Sequence, residues 1–499
     1  MISLRLPASL KSVSLLALAG AVSQAVGFLY RVLLARLVPA EHLGLFQLVM
    51  PVYSVLSAVC LSGLSVCSVR LTAKYRALGA FGTVRALLNR LVGIFLLLFS
   101  GACLVLVPGS GLLAERFLGT GDARGGILLL LPLLLFTGFE NIHKNYFHGA
   151  GHVGPPALSE GLEQLLRTGL VCGLLAAVEP VTGRGAVICI LAGMVLCEIW
   201  SGGLMTVWAR RALGALPPAG PKTPPGELDK NIRSLAAPIA ATNLLGAVTG
   251  SLCSVMLPGR LELAGLTRTA ALEQYGVLFS MAAPLAMLPG ALLGPLNTVL
   301  VPRLCGAAAL GETGGIRRRI RKALAAVSYG MLPCAALMYV LGPALLKLVF
   351  RTDRGAEYMA PLAVLLALSG YQGVLGTALS AIGGQREAAG ANLLGGAAHL
   401  ALSWVLTARP GVGLLGYLWA DGLVTAASIC YFALRLRARC GLRLTLRPLL
   451  EPGLAALCAG LWSALAAKTL ADAPAAAMLP LCAILCAAIY LGLLKAPRA

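Results

Sequence analysis

Arg31 is the residue whose surroundings most strongly suggest chemistry, because it interrupts an otherwise apolar segment that reads Gly27-Phe-Leu-Tyr-Arg31-Val-Leu-Leu-Ala. A guanidinium in hydrocarbon costs about 2.5–3.5 kcal/mol on insertion scales, so such groups usually face a bundle interior or water. Arginine also matches phosphate oxygens with two parallel donors. The sequence predicts that Arg31 faces a polar cavity and binds an anionic group. The alternatives are that it reaches the membrane interface or pairs with Glu41.

Glu163 and Arg167 form the second candidate group. They stand four residues apart, on one face of a predicted helix and in the order that favours an ion pair. One interpretation is a neutral structural pair. The other is that Arg167 releases Glu163 and binds a phosphate.

Three further acids and one amide interrupt apolar segments. Glu140 and Asn141 lie deep enough in their predicted helix to face a cavity, whereas Lys144 is expected at the level of the lipid headgroups. Asn141 is a candidate cargo ligand. Glu140, Glu198 and Asp421 are candidates for a coupling Na⁺ or H⁺, and Glu198 could instead pair across the bundle.

The composition shows which kind of element positions these residues. The 499 residues are 58% hydrophobic and only 12% charged, against about 25% charged in soluble proteins. Apolar runs of about 20 residues recur along the chain, and each is long enough to cross a bilayer. The sequence therefore predicts an all-α polytopic membrane protein.

Charge and cysteine content exclude several other classes. The net charge of +21 comes from Lys and Arg scattered through short loops, which is typical of membrane topology and not of nucleic-acid binding. The 14 cysteines contain no CxxC pair, so neither a metal site nor a disulfide framework is expected. Phosphate-binding loop, zinc-protease and nucleophile-elbow motifs are missing from the sequence. We therefore expect no enzyme activity and no cofactor.

About fourteen membrane helices are predicted. Their ranges are 11–37, 44–70, 86–107, 126–149, 157–178, 186–211, 232–257, 274–303, 322–349, 358–382, 388–408, 413–436, 449–470 and 475–495. The eighth contains Pro284, Pro289 and Pro295, so it is expected to tilt or kink. With both termini in the cytoplasm, basic residues on the inner side outnumber those on the outer side by about two to one. This distribution favours an even number of crossings in the cytoplasmic membrane.

A proline-rich segment predicts the domain organisation. Residues 213–231 carry five prolines in LGALPPAGPKTPPGELDKN and are typical of a semi-rigid linker. The predicted domains are an N-terminal lobe over 1–212, the cytoplasmic linker over 213–231, a C-terminal lobe over 232–440, and two further helices over 441–499.

Several stretches resemble the stage V sporulation protein B family. They are Gly27 to Arg36 with Gly44-Leu-Phe-Gln-Leu and Pro51-Val-Tyr53, then Tyr146-Phe-His-Gly149, then Ser159-Glu-Gly-Leu-Glu163-Gln-Leu-Leu-Arg167, then Leu257-Pro-Gly-Arg260-Leu, and Pro284 to Pro302-Arg303-Leu. The resemblance covers nearly the whole chain. That family belongs to the multidrug/oligosaccharidyl-lipid/polysaccharide (MOP) exporter superfamily and is related to the lipid II flippases.

The resemblance implies a fold and a cargo. It implies two six-helix lobes in a V around a central cavity, two additional C-terminal helices and alternating access. It also implies a lipid-linked saccharide as cargo, an undecaprenyl-pyrophosphate peptidoglycan precursor, and membrane lipids and cell-wall synthesis enzymes as partners. Arg260 would guide cargo near the portal, or it is an ordinary loop charge.

The function expected from these observations is a flippase. The alternatives are a cation-coupled multidrug exporter of the same superfamily and a non-transporting membrane scaffold for wall or spore-coat assembly. The coupling ion, Na⁺ or H⁺, stays open, and the membrane potential alone could drive the cycle.

Overall fold

The computed structural model describes residues 8–179, 182–217, 223–443, 447–469 and 475–495, and these are almost entirely helical. The helices of the first half are α1 (Ala8–Leu37), α2 (Ala40–Cys60), α3 (Ser62–Ala77), α4 (Phe81–Leu112), α5 (Ala123–Gly149), α6 (Gly154–Val178), α7 (Gly183–Gly214) and α8 (Pro225–Leu263). Those of the second half are α9 (Arg268–Gly276), α10 (Ala283–Ala286), α11 (Leu293–Ala309), α12 (Thr313–Phe350), α13 (Ala356–Ala381), α14 (Gln385–Thr407), α15 (Leu414–Cys440), α16 (Arg447–Thr469) and α17 (Ala475–Lys495).

The all-α membrane architecture is confirmed. Within the described ranges, 11 helices are long and apolar enough to cross a membrane. The count of fourteen crossings stays a prediction, as does the cytoplasmic position of both termini. Residues 1–7 and 496–499 lie outside the described residues.

Two predicted helices are interrupted. The second is broken at Leu61, where α2 ends and α3 begins. The eighth is kinked as expected: a π-helical segment at Val277–Ala282 and a 3-10 segment at Leu288–Leu292 separate α9, α10 and α11. Proline supplies no N–H to the helix ladder, so this proline-rich stretch leaves regular α geometry.

The chain divides into two compact units, Met1–Val255 and Met256–Ala499. In the first unit, the start of α8 is fixed to α3, because Asn231 Nδ2 donates to Tyr75 Oη at 3.1 Å and Ile232 is buried. The helices extend into the range predicted for the linker. Helix α7 continues to Gly214 and α8 already begins at Pro225, because proline is favourable in a first helical turn. Residues 218–222 of that linker lie outside the described residues. The lobe boundary after residue 231 stays a prediction.

Each unit has its own apolar core. In the first, Leu87, Leu91 and Phe95 of α4 are buried together with residues of α3, α5, α7 and α8. In the second, α11, α12, α13 and α15 share a core that includes Ile320, Leu375 and Phe432. The helix pair α16 and α17 packs on α12 through a smaller cluster around Ala459 and Cys486.

Gly202 lets α7 approach α5 closely. A Cβ at Gly202 would lie 2.8 Å from the carbonyl oxygen of Phe136, a backbone atom that cannot move aside, whereas a Cβ at Gly203 would meet nothing within 4 Å. We expect Gly202→Ala to lower the free energy of unfolding by roughly 1–2 kcal/mol, because overpacking outweighs the gain in helix propensity. The matched variant Gly203→Ala should be neutral or slightly stabilising. Thermal unfolding in detergent compares the two, and equal stability would show that α5 and α7 are not closely packed here.

Candidate functional site

Five ionisable side chains converge in the first unit where α5, α6 and α7 pack together. Glu140 and Lys144 come from α5, Glu163 and Arg167 from α6, and Glu198 from α7. Helical spacing places each pair four residues apart on one face of its helix. We call these five residues the charge cluster.

The three acids of the charge cluster are buried and close together. Glu140 is 4%, Glu163 7% and Glu198 4% exposed. One carboxylate oxygen from each lies within 4.8 Å of the others. Three like charges at this distance require cations or protons nearby, because burial weakens the screening by water.

Arg167 and Lys144 supply the cations. The Arg167 Nη2 atom donates to Glu163 Oε1 and, at 3.1 Å, to Glu198 Oε1. The Lys144 Nζ atom lies 2.7 Å from Glu140 Oε1 and 3.5 Å from Glu163 Oε2. Glu163 therefore connects the two cations, and the whole cluster forms one network.

Two serines extend this network. Ser201 Oγ donates to Glu140 Oε1 at 2.8 Å, and Ser159 Oγ lies 3.2 Å from Ser201 Oγ. Other polar atoms are buried without a hydrogen-bond partner in the described part of the chain, among them Glu198 Oε2, Arg167 Nε and Tyr30 Oη. The site is thus incompletely satisfied around Glu198 and Arg167.

The charge cluster has one more acid than it has bases. With every group ionised, the three buried carboxylates face two cations, which leaves a formal charge of −1 in the buried site. Glu160, whose half-exposed carboxylate lies 3.6 Å from Lys144 Nζ, adds negative charge at its edge. A bound proton or monovalent cation would bring the formal charge to zero. Because of this excess carboxylate, the charge cluster is a candidate site for a cation or a proton.

Lys144 has a partner that the sequence analysis did not assign to it. Its level relative to the lipid headgroups stays a prediction, but its side chain is only 16% exposed and contacts Glu140. This contact is favourable because a buried carboxylate next to a flexible ammonium gains a charge-assisted hydrogen bond.

Asn141 lies beside the charge cluster but faces other partners. Its Oδ1 accepts from Ser65 Oγ at 2.9 Å and from Asn145 Nδ2 at 2.6 Å. The bond from Ser65 joins α3 to α5. Its role in cargo binding stays a prediction.

Arg31 contrasts with Arg167. Its side chain on α1 is exposed, and it makes no ion pair with any residue whose side chain the structure describes. The alternative pair with Glu41 does not form. Arg31 thus has a guanidinium available for an external anion, whereas Arg167 is already engaged by two glutamates.

The second unit holds the last two candidates. Asp421 on α15 is half-buried, with His399 and Thr425 as neighbours. Arg260 lies inside the last turns of α8, and not in a loop after it as predicted, because the helix continues through Pro258 and Gly259 to Leu263. Its guanidinium stacks on Trp404 at 4.2 Å from the ring centroid, and its Nε donates to the Trp404 carbonyl at 2.9 Å. Asp421 and Arg260 stay candidates for the coupling ion and the portal.

Comparison with known families identifies the chain. Residues 9–306 match the family model described as polysaccharide biosynthesis protein, which is more than half of the sequence. The chain belongs to this family. Stage V sporulation protein B of Bacillus subtilis (strain 168) is 24% identical over 423 residues, which cover 82% of this chain and 79% of that protein.

Solved structures show the same fold in the MOP superfamily. The inward closed conformation of the lipid II flippase MurJ superposes with a TM-score of 0.70 at 13% identity, covering 96% of this chain and 98% of that chain. The inward-facing conformation of a multidrug resistance MATE family transporter of that superfamily gives a TM-score of 0.68 at 14% identity, covering 83% and 95%. This member of the polysaccharide biosynthesis protein family is therefore a multi-pass membrane protein with the fold of the MOP exporters.

Two features of the site were not predicted from the sequence, namely the pair of Glu140 with Lys144 and the two serines. The spacing of Glu140 and Lys144 is the same four residues as that of Glu163 and Arg167, so the pair could have been found by the same rule. Ser201 and Ser159 gave no signal, because serines are common in apolar helices. Only the packing of α7 against α5 and α6 brings them to the acids.

Proposed function

We propose that the protein is a flippase that moves a lipid-linked saccharide, an undecaprenyl-pyrophosphate peptidoglycan precursor, across the cytoplasmic membrane by alternating access. The family supports a role in polysaccharide biosynthesis, and the fold supports transport. No covalent bond of the cargo breaks in such a step. The protein only has to shield the charged headgroup from hydrocarbon.

The observation that carries the proposal is the exposed, unpaired guanidinium of Arg31 on the apolar helix α1. Pyrophosphate oxygens accept the paired donors of arginine, and the interaction is strongest where little water competes. Arg31 would bind the pyrophosphate of the cargo while the lipid tail stays in the bilayer. The charge cluster would remain a separate, internally paired group.

A coupling cation is one candidate energy source for the proposed cycle. The excess carboxylate of the charge cluster, at Glu140, Glu163 and Glu198, supports a proton or Na⁺ there, and Asp421 is the candidate in the second unit. The membrane potential is the other source, since moving one charge through 100 mV supplies about 2.3 kcal/mol.

A second candidate function is export of organic cations. The buried acids favour it, and so does the structural likeness to a MATE family transporter. In that case acids would bind the cargo, and Arg31 would have no direct role. The two functions differ in the sign of the charge that the protein carries across the membrane.

Reconstitution in liposomes tests the proposal. The parent protein should expose a fluorescent undecaprenyl-pyrophosphate saccharide of the inner leaflet to a membrane-impermeant reagent, and a pH gradient, a Na⁺ gradient or a potential should each be imposed to find the one that accelerates it. Protein-free vesicles are the control. Transport of an organic cation without movement of the lipid-linked cargo would establish the exporter instead.

A further inference from the structure

Helix α12 is longer than a membrane crossing requires. Its 38 residues, Thr313–Phe350, extend about 57 Å at 1.5 Å per residue, whereas the hydrocarbon core is about 30 Å thick. The additional length lies at the N-terminal end of α12. There the apolar stretch is preceded by five cations, Arg317, Arg318, Arg319, Arg321 and Lys322. This end of α12 therefore reaches the level of the headgroups.

A groove runs along one face of these first turns. It has a volume of about 520 Å³ and is lined by Gly314, Arg317, Arg318, Arg321, Lys322 and Ala325. These positions follow the helical period of three and four residues, so they form a single stripe. Four of the six lining residues are cationic, and none is acidic.

Two of the four cations lie next to the residues that follow α15. Arg317 Nη1 lies close to Gly441, where a Cβ would be 3.3 Å from it, and Arg321 Nη2 donates to the Arg443 carbonyl at 3.3 Å. Arg318 and Lys322 are exposed and have no carboxylate partner among the described residues. Glu312, the acid at this end of α12, lies on the other side with Arg319, near Gly315.

The N-terminus of α12 adds to the positive field of the groove. The first turn contains no acidic residue, and the Glu312 side chain does not cap the helix. The positive end of the helix dipole and the four cations have the same sign, and Glu312, whose carboxylate lies beside Gly315, offsets only part of this charge. An anion in the groove would therefore be favoured. The unpaired N–H groups of a first helical turn are themselves suitable donors to phosphate.

We propose that this groove binds the phosphate headgroup of an anionic membrane phospholipid. Basic pockets at the ends of transmembrane helices are suited to such headgroups. The choice of a lipid over a soluble phosphate follows from what lies next to the groove. Beyond Ala325, the same helix exposes Ala326 and Tyr329 and then enters the apolar stretch, which gives an acyl chain a continuous path. The site is separate from Arg31 and from the charge cluster, and it does not depend on the transported cargo.

Native mass spectrometry of the detergent-solubilised full chain tests the site. The protein is titrated with phosphatidylglycerol, with phosphatidylcholine as the neutral lipid and inorganic phosphate as a soluble competitor. The double variant Arg318→Gln/Lys322→Gln removes two exposed cations that contact no described carboxylate. Its matched control, Arg210→Gln/Arg211→Gln at the end of α7, removes the same charge from two other exposed positions.

The parent should retain phosphatidylglycerol in preference to phosphatidylcholine. The groove variant should bind it roughly tenfold to thirtyfold more weakly, since two contacts to the phosphate are lost, and the α7 control should bind as the parent does. An equal loss of phosphatidylglycerol affinity in both variants would show that only the general surface charge matters, and it would overturn the proposal. Unchanged binding in the groove variant would overturn it too, and displacement by millimolar inorganic phosphate would assign the groove to a soluble phosphate instead.

Discussion

Replacing Arg31 by alanine should slow the movement of the lipid-linked saccharide by roughly 10- to 100-fold, because each hydrogen bond to a charged group contributes about 1.5–3 kcal/mol. The fold should persist. Arg31 is exposed and has no ion-pair partner among the described side chains, so truncation leaves no buried charge uncompensated. Substitutions of this kind usually change stability by no more than about 0.5 kcal/mol.

The measurement is the initial rate of cargo movement in proteoliposomes, with thermal unfolding recorded for the same preparations. Arg36→Ala, five residues further along the same helix, removes an exposed cation from a different face and should transport at a rate close to the parent's. Arg31→Lys should recover only part of the rate, because an ammonium does not offer the paired donors of a guanidinium. Full activity of Arg31→Ala would exclude Arg31 from cargo binding.

The helices of the fold were predictable because hydropathy and segment length determine them. The long apolar runs could hardly form anything but membrane helices, and the three prolines of the eighth run indicated its irregular geometry. The break at Leu61 was not predictable, since no proline or glycine stands at that position.

The candidate site was predictable only within each helix. The spacing of Glu163 and Arg167 predicts their contact, and the structure shows it. The approach of Glu198 and Glu140 to the same pair depends on helices that are distant in sequence, and no local pattern determines which faces meet. For the same reason the sequence did not show that Lys144 contacts Glu163 as well as its helical neighbour Glu140.

Because the charge cluster has one acid in excess, removing one of its cations should destabilise the protein far more than removing one of its acids. Arg167→Gln leaves Glu163 Oε1 and Glu198 Oε1 without their shared donor, while only Lys144 remains to compensate three carboxylates. Breaking a buried ion pair by removing one partner costs about 3–5 kcal/mol. We expect a loss of this size in the free energy of unfolding. Arg184→Gln, at an exposed position on α7, should change it little.

Glu198→Gln should change the free energy of unfolding much less than Arg167→Gln does. It leaves two carboxylates and two cations, and the Glu198 Oε2 atom has no partner to lose, so we expect a change of no more than about 1 kcal/mol. In the Arg167→Gln background the same substitution removes one of the uncompensated charges, and it should restore roughly 1–3 kcal/mol. The four proteins form a double-mutant cycle that thermal or denaturant unfolding in detergent can measure. A larger loss for Glu198→Gln than for Arg167→Gln, or additive effects in the double variant, would show that the cluster is not an electrostatic unit with one acid in excess.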